Sequence, residues 1–330
     1  MNRVTHQVTI PAGHEGRRLD QVLAELLPDY SRSRIKGWIL AGSVRLDGQQ
    51  PDPRTRVVAG QQVEIAAVVE TTHSVAAQAV AFEVAYEDED VLVVVKPAGV
   101  VVHPGAGNRD ATLENGLRHH APSLAALPRS GLLHRLDKDT SGLVLVAKTL
   151  AAHTHLTRDL QERRIRREYR AIVNGVVTAG GAVDAPIGRH PVQRTRMAVT
   201  DGGRAAVTHY RVLARFVAHS LLALRLETGR THQIRVHLAH LGFPIVGDPA
   251  YGGRPRLPPG ADATVLDALR GFRRQALHAC AIGFRHPGSG EDLQFAAPLP
   301  ADMRALLAAL AGGPAAAARL ESLPWPTPSR

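Results

Sequence analysis

Residues His134-Arg135-Leu136-Asp137-Lys138-Asp139-Thr140-Ser141-Gly142-Leu143-Val144-Leu145-Val146-Ala147-Lys148 crowd a histidine and several charges into a turn directly before an apolar strand. Ionisable groups held at the end of a buried strand are where enzymes concentrate chemistry. Asp137 and Asp139 each offer a carboxylate able to act as nucleophile or base, or to shape the turn. A second charge-bearing stretch is Glu227-Thr228-Gly229-Arg230-Thr231-His232-Gln233-Ile234-Arg235-Val236-His237-Leu238. There Gly229 can turn the chain, Thr231 can cap a helix, and Arg230 stands at the helix entrance facing the sheet. In a third, Val95-Lys96-Pro97-Ala98-Gly99 closes a strand and runs on to Gly105-Ala106-Gly107, without the spacing of a phosphate-binding loop.

These segments need a scaffold, and the pattern supplies one. Apolar strands are expected at 91–95, 143–147, 169–173, 207–213 and 220–226, and helices near 150–163, 231–241 and 300–311. Strands and helices do not alternate regularly, so the reading is an α+β domain over 82–311. Residues 17–69 form a smaller module. Leu19, Val22, Leu23, Leu26 and Leu27 keep helical spacing, Ser31 caps a second helix burying Ile35, Trp38 and Ile39, and Val44, Leu46, Val63 and Ile65 lie in strands. Residues 70–81 read as a linker, and the Ala/Pro-rich tail from Gly312 to Arg330 as mobile, with Leu320 and Trp325 able to dock. The first ten residues carry no pattern.

Composition narrows the partners. Of 330 residues, 40 are Lys or Arg against 30 Asp or Glu, an excess that favours a polyanion such as nucleic acid. Four lysines (Lys36, Lys96, Lys138 and Lys148) stand among the arginines, three of them beside the charge-bearing segments. A single cysteine, Cys280, excludes an internal disulfide or a cysteine zinc site. No apolar run reaches membrane-spanning length and no signal-peptide core is present, so a cytoplasmic protein is expected. His232, His237 and His240 share an expected helix, but a five-residue step turns about 140° away, which is poor for one metal. No Gly-x-Ser-x-Gly elbow marks a serine hydrolase.

Arg18-Leu19-Asp20, Ser31-Arg32-Ser33-Arg34-Ile35 and Val44-Arg45-Leu46-Asp47-Gly48 resemble the alpha-L RNA-binding domain. Behind it, the His134–Lys148 run, Arg167-Glu168-Tyr169-Arg170-Ala171-Ile172 and Gly229–His237 resemble the successive motifs of the RluA family of RNA pseudouridine synthases. The stretches Val102–Gly107, His190–Val199, Ala206–Val212 and Pro244–Arg254 are similar more narrowly to its RluD branch, which modifies 23S ribosomal RNA. The resemblance implies a pseudouridine synthase α+β domain with a central antiparallel sheet and a cleft across it. It implies isomerisation of uridine to pseudouridine, in the helix 69 stem-loop if the branch holds, with no metal and no cofactor.

By this resemblance Asp137 is the reactive carboxylate, Arg230 its cationic partner and Tyr169 the ring against the target uracil, with a hydroxyl able to help remove the C5 proton. Asp139 is left to the turn. Lys96, His134 and Arg135 line or support the site. Arg164 and Arg166, from the cluster Arg163–Arg167, and His190, Arg194 and Arg196, on a loop able to close over RNA, are candidate RNA contacts. So are Arg32, Arg34 and Lys36 of the small module. The expected partner is 23S ribosomal RNA or a large-subunit assembly intermediate, bound by a monomer. Two other readings remain: the same chemistry on another ribosomal or transfer RNA site, and a non-catalytic RNA-binding assembly factor.

Overall fold

A computed structural model describes residues 2–28, 30, 32–69, 75–105 and 107–325, and divides the chain into two compact units, Met1–Ser74 and Val75–Arg330. The expected cap Ser31, positions 70–74 of the expected linker and Ala106 lie outside the described residues.

The small unit runs β1 (Asn2–Thr9), α1 (Leu19–Leu26), α2 (Arg32–Leu40), β2 (Val44–Leu46) and β3 (Gln62–Val69), with the strands in the order β1-β3-β2. Leu19, Val22, Leu23, Ile35, Trp38, Ile39, Val44, Leu46, Val63 and Ile65 form its core, the set that helical and strand spacing picks out. The segment thought patternless is β1, antiparallel to β3 along its length. Its inward row is Val4, His6, Val8 and Ile10, and the polar His6, bonded to Tyr30 Oη at 3.1 Å, hides the alternation.

The large unit continues with β4 (Glu83–Glu87), β5 (Val91–Lys96), α3 (Leu113–His120), β6 (Ser141–Ala147), α4 (Leu150–Gln161), β7 (Arg166–Asn174), β8 (Gly181–Asp184), β9 (Ile187–Arg189) and β10 (Met197–Val199). β11 (Val207–Arg215), β12 (His219–Leu226), α5 (Gln233–His240), α6 (Ala263–Gly271), β13 (Leu277–Arg285), β14 (Asp292–Ala296), α7 (Ala301–Ala311) and α8 (Pro314–Glu321) follow. One sheet runs β4-β5-β6-β13-β7-β12-β11-β8, with β14 beside β13, and its pairs are antiparallel except β6 with β13. β9 and β10 form a separate hairpin.

β6 is buried along its whole length, Val144 and Val146 in the core of one face and Leu143 and Leu145 in that of the other. Burying such a side chain stabilises by about 1.5–3 kcal/mol, which makes this strand a rigid floor for the loop before it. Gly142 at its start has φ +119°, and a Cβ there would stand 2.2 Å from Ala279 O, so only glycine lets β13 approach.

Two boundaries differ from the sequence reading. Residues from Val75 onward already pack on α3: Arg118 Nη1 donates to Val75 O at 3.0 Å and Asn115 Nδ2 to Ala76 O at 2.8 Å. The tail expected to be mobile folds as α8, with Ala317 in the core and Leu320 packed against it. Its Arg/Ala composition is a good helix former, and the Pro314 that suggested disorder sits in the first turn, where proline is tolerated. Trp325 beyond it lies 4.1 Å below the Arg225 guanidinium.

Candidate active site

A cleft of about 550 Å³ crosses the large unit, lined by the loop His134–Asp137, by Arg167 and Tyr169 of β7, and by the segment Glu227–Arg235 that enters α5. Leu136 is buried in the core, so Asp137 beside it turns toward the cleft, 16% exposed at its side chain.

The loop holding Asp137 is clamped from two sides. Thr140 N donates to Asp137 O at 3.1 Å, closing a turn that contains Asp139. From one side Gly99 N and Lys96 Nζ both donate to Lys138 O, at 2.9 Å each. From the other, Arg274 Nη1 donates to Asp139 O at 3.1 Å and Gln275 Nε2 to Thr140 Oγ1 at 3.0 Å. Lys96 also donates to Pro97 O at 2.7 Å and Val100 O at 2.8 Å. Its side chain is fully buried, and burial pushes its ammonium down to about 7. It is therefore no RNA contact: three carbonyls occupy its three donors, and it holds the loop from inside.

The partner of Asp137 is Arg235, not Arg230. Arg235 Nη1 donates to Asp137 Oδ2 at 2.9 Å, while its Nε and Nη2 grip Asp248 at 2.7 and 2.8 Å. Asp248 is buried and accepts the Ala250 and Tyr251 amides as well. The two carboxylates and their hydrogen bonds raise the Arg235 pKa against the burial that lowers it. The Arg235 guanidinium also lies 5.1 Å from the centroid of the Tyr251 ring. Arg230 lines the cleft, but its Nε donates to Ala205 O at 3.1 Å. The reason is local geometry. Thr231 does not cap α5; His232 precedes the helix in a left-handed conformation, φ +58°, and Gln233 Oε1 accepts the Arg230 amide. Arg230 is thus left on the extended approach, and the buried first turn carries Arg235 inward.

His232 is the second neighbour of Asp137, with Nε2 4.0 Å from Oδ1 and Nδ1 2.9 Å from Tyr251 Oη. Burial pushes its pKa down while the Asp137 charge opposes the change. Tyr251 Oη also accepts Met197 N at 2.9 Å, which ties the β9–β10 hairpin to the network around Asp137.

Tyr169 is 4% exposed and sits in the cleft wall. Burial pushes its phenol pKa up. The ring offers a packing surface in the cleft wall. His134 lines the cleft with Nε2 accepting Leu145 N at 3.1 Å, and burial, then Arg167, pushes its imidazole down to about 3. Its ring is neutral and braces the loop on β6. Arg135 is exposed at the cleft.

The other candidates lie elsewhere. Arg164 is taken by Asp159 at 2.5 Å and by Glu162. Arg166 alternates to the opposite face of β7 from Tyr169 and lines a groove there. His190 Nδ1 accepts the Val192 and Gln193 amides at 3.2 and 3.0 Å, a turn-forming role, with Arg194 exposed and Arg196 half-buried beyond it. None of these five lines the cleft. On α2 Arg32 pairs with buried Asp20 at 2.9 Å, Arg34 is half-buried and Lys36 exposed.

Arg235, Asp248, Tyr251 and His232 were not singled out as site residues, and Arg167 was named only within the basic cluster beside the cleft. Each falls in a stretch already noted for its resemblance, and helical spacing from a start at Gln233 would have turned Arg235 inward.

Residues 90–240 match the model of the RNA pseudouridylate synthase family, and residues 17–63 that of the S4 domain. The chain is 54% identical over 314 residues to a ribosomal large subunit pseudouridine synthase D of Xanthomonas campestris, covering 95% of each chain. It is 53% identical to the protein of that name in Pseudomonas aeruginosa, covering 91% of this chain and 94% of the other. Human RNA Pseudouridylate Synthase Domain Containing 4 matches with a TM-score of 0.54 and 27% identity, over 69% of this chain and 92% of that one. With an S4 domain ahead of a catalytic sheet that brings a carboxylate, a buried arginine and a tyrosine to one cleft, the chain belongs to the RluA family of RNA pseudouridine synthases and is most like its RluD branch.

Proposed function

We propose that this enzyme converts uridine to pseudouridine in 23S ribosomal RNA, within the helix 69 stem-loop, acting as a cytoplasmic monomer on the large subunit or its assembly intermediates. The observation that carries the chemistry is the pairing of Asp137 with the doubly anchored Arg235 inside an open cleft. The names of its relatives, ribosomal large subunit pseudouridine synthases D, support the large ribosomal subunit as the target. Among the described residues no helix is long and apolar enough to cross a membrane.

The reaction breaks the C1′–N1 bond, turns the uracil and joins C5 to C1′; the C5 proton leaves and N1 regains one, so nothing is oxidised or hydrolysed. Asp137 acts at the sugar–base junction, its charge held by Arg235, whose planar fork spans both carboxylates. The clamps from Lys96, Gly99, Arg274 and Gln275 fix where that carboxylate stands. Tyr169 packs the base while it is detached. The uridine must leave its stack, at a cost of a few kcal/mol, and cationic Arg129, Arg135, Arg204 and Arg230 around the cleft offset it.

Mapping pseudouridines in ribosomal and transfer RNA from cells lacking the gene tests the target. Loss confined to the large-subunit stem-loop, restored by the wild-type protein, is expected. Loss at a different RNA, or none, would overturn the assignment, and an unchanged map with retained RNA binding would favour an assembly factor.

A further inference from the structure

Arg167 is a cation inside the cleft that no carboxylate pairs with among the described residues. It sits two residues before Tyr169 on β7, so both side chains leave the same face of the strand. It is 7% exposed and lines the cleft. Among the described residues it makes no ion pair and no side-chain hydrogen bond, and its Nε is buried without a partner.

The other cleft arginines do not share this condition. Arg163 pairs with Glu227, Arg235 with Asp137 and Asp248, and Arg230 bonds Ala205 O. Arg129, Arg135 and Arg204 are exposed, so water solvates them. The acceptors on the facing segment are already occupied: Glu227 by Arg163 and His209, and Gln233 Oε1 by Thr228 Oγ1 and Arg230 N. That segment is bare where the guanidinium lies, since a Cβ on Gly229 would stand 3.1 Å from Arg167 Nη1. Any side chain there would crowd the group or the space it faces.

A charge taken out of water without a partner is unfavourable, and it persists where a ligand completes the pair. The anionic groups of an RNA substrate are its phosphates, and a guanidinium fork matches their oxygens. We propose that Arg167 binds a phosphate of the RNA backbone at the target nucleotide and sets how far the everted uridine enters toward Tyr169 and Asp137. It is a positioning residue, and the inference rests on the RNA reading above.

The test measures RNA affinity across a salt series for the full-length protein, using a large-subunit stem-loop transcript, with Arg167→Gln and Arg167→Lys. Loss of one phosphate contact should weaken binding by roughly 10- to 100-fold, the range for a hydrogen bond to a charged group. It should also flatten the slope of log K against log salt by about 0.7–0.9. Arg167→Lys should recover the slope, because the charge is kept. The melting temperature of Arg167→Gln should not fall, since an unpaired buried charge is removed. A neutral methylphosphonate linkage placed in turn at each position around the target uridine should weaken the wild type at one position and leave Arg167→Gln unaffected there. Wild-type affinity and slope in Arg167→Gln would overturn the proposal; a loss of turnover alone would then move the guanidinium to the uracil, and a lowered melting temperature alone would make it structural. A wild-type protein that binds this transcript without modifying it would sink the target assignment and leave the slope comparison readable.

Discussion

Asp248→Asn should destabilise the catalytic unit by about 3–5 kcal/mol, the cost of breaking a buried ion pair by removing one partner's charge. The residue touches no substrate in this account, so the loss comes from its four hydrogen bonds. Oδ1 accepts the Ala250 and Tyr251 amides and Arg235 Nη2, and an asparagine oxygen can keep these. Oδ2 accepts Arg235 Nε at 2.7 Å, and there the new amide sets a donor against a donor. One charge-assisted hydrogen bond, about 1.5–3 kcal/mol, is lost outright, and Arg235 is left with Asp137 as its one carboxylate partner. At about 2–4 °C per kcal/mol for a domain of this size class, the melting temperature should fall by roughly 6–20 °C. Because Arg235 would be held at residue 248 by one hydrogen bond instead of a charged two-point grip, turnover should fall with it, by about tenfold or more. Thermal unfolding and single-turnover kinetics on the same preparation read both effects. A melting shift under about 2 °C with turnover intact would refute the claim that Asp248 holds Arg235 for Asp137.

Further outcomes follow from the same geometry. Arg235→Gln should lower turnover by about 10²-fold or more, as for loss of a preorganised charge partner, whereas Arg230→Gln, which loses one bond to Ala205 O, should change it by under about tenfold; kinetics on both variants decide between the two arginines. Burial pushes His278 down to about 4 and His134 to about 3. Below pH 6.5 the unfolded chain binds protons that these folded imidazoles refuse, so their contribution is fully present above pH 6.5 and is lost as pH falls toward 4 for His278 and toward 3 for His134. Each group adds a slope of up to about 1.4 kcal/mol per pH unit. His278→Asn should flatten the acid limb of a stability–pH curve measured in denaturant. Ending the chain at Gly312 removes α8, the Leu320 packing and the Leu323 carbonyl that accepts Arg170 Nη2 at 2.6 Å. A loss of about 3–5 kcal/mol is expected from one apolar side chain and one buried donor left unpaired, read as a melting shift; a shift near zero would mean that the helix does not dock.

The strands and helices expected in the large unit are present as β5, β6, β7, β11 and β12 and as α4, α5 and α7, because these segments are rich in apolar residues or keep a helical period, whereas β13 in the middle of the sheet, α3 and α6 were not named. β6, with Leu143 to Val146 wholly apolar, is the strongest case. β1 was missed because His6 interrupts its inward row, and α8 because alanine and proline enrichment resembles a disordered tail as much as a short docked helix. At the site, motif order picked out Asp137 and Tyr169, and both line the cleft. The identity of the charge partner was not legible. Arg230 and Arg235 lie five residues apart in one motif, and choosing between them needs the true helix start, which depends on the left-handed His232 and the Gln233 side chain. Asp248 could not be joined to Arg235 from sequence, since the pair forms only when α5 and the loop after it meet on the sheet. Lys96 was grouped with the residues that line or support the site or contact RNA, and its supporting role from inside the loop was not specified; its three carbonyl partners come from a turn that composition does not reveal.

Tritium release from a stem-loop transcript labelled at uracil C5 tests the central claim most directly, because each completed isomerisation frees one C5 hydrogen. The wild-type protein should release tritium to the number of modified uridines, and Asp137→Asn should release none while binding the transcript as tightly as the wild type. Release by Asp137→Asn at the wild-type rate would contradict the account.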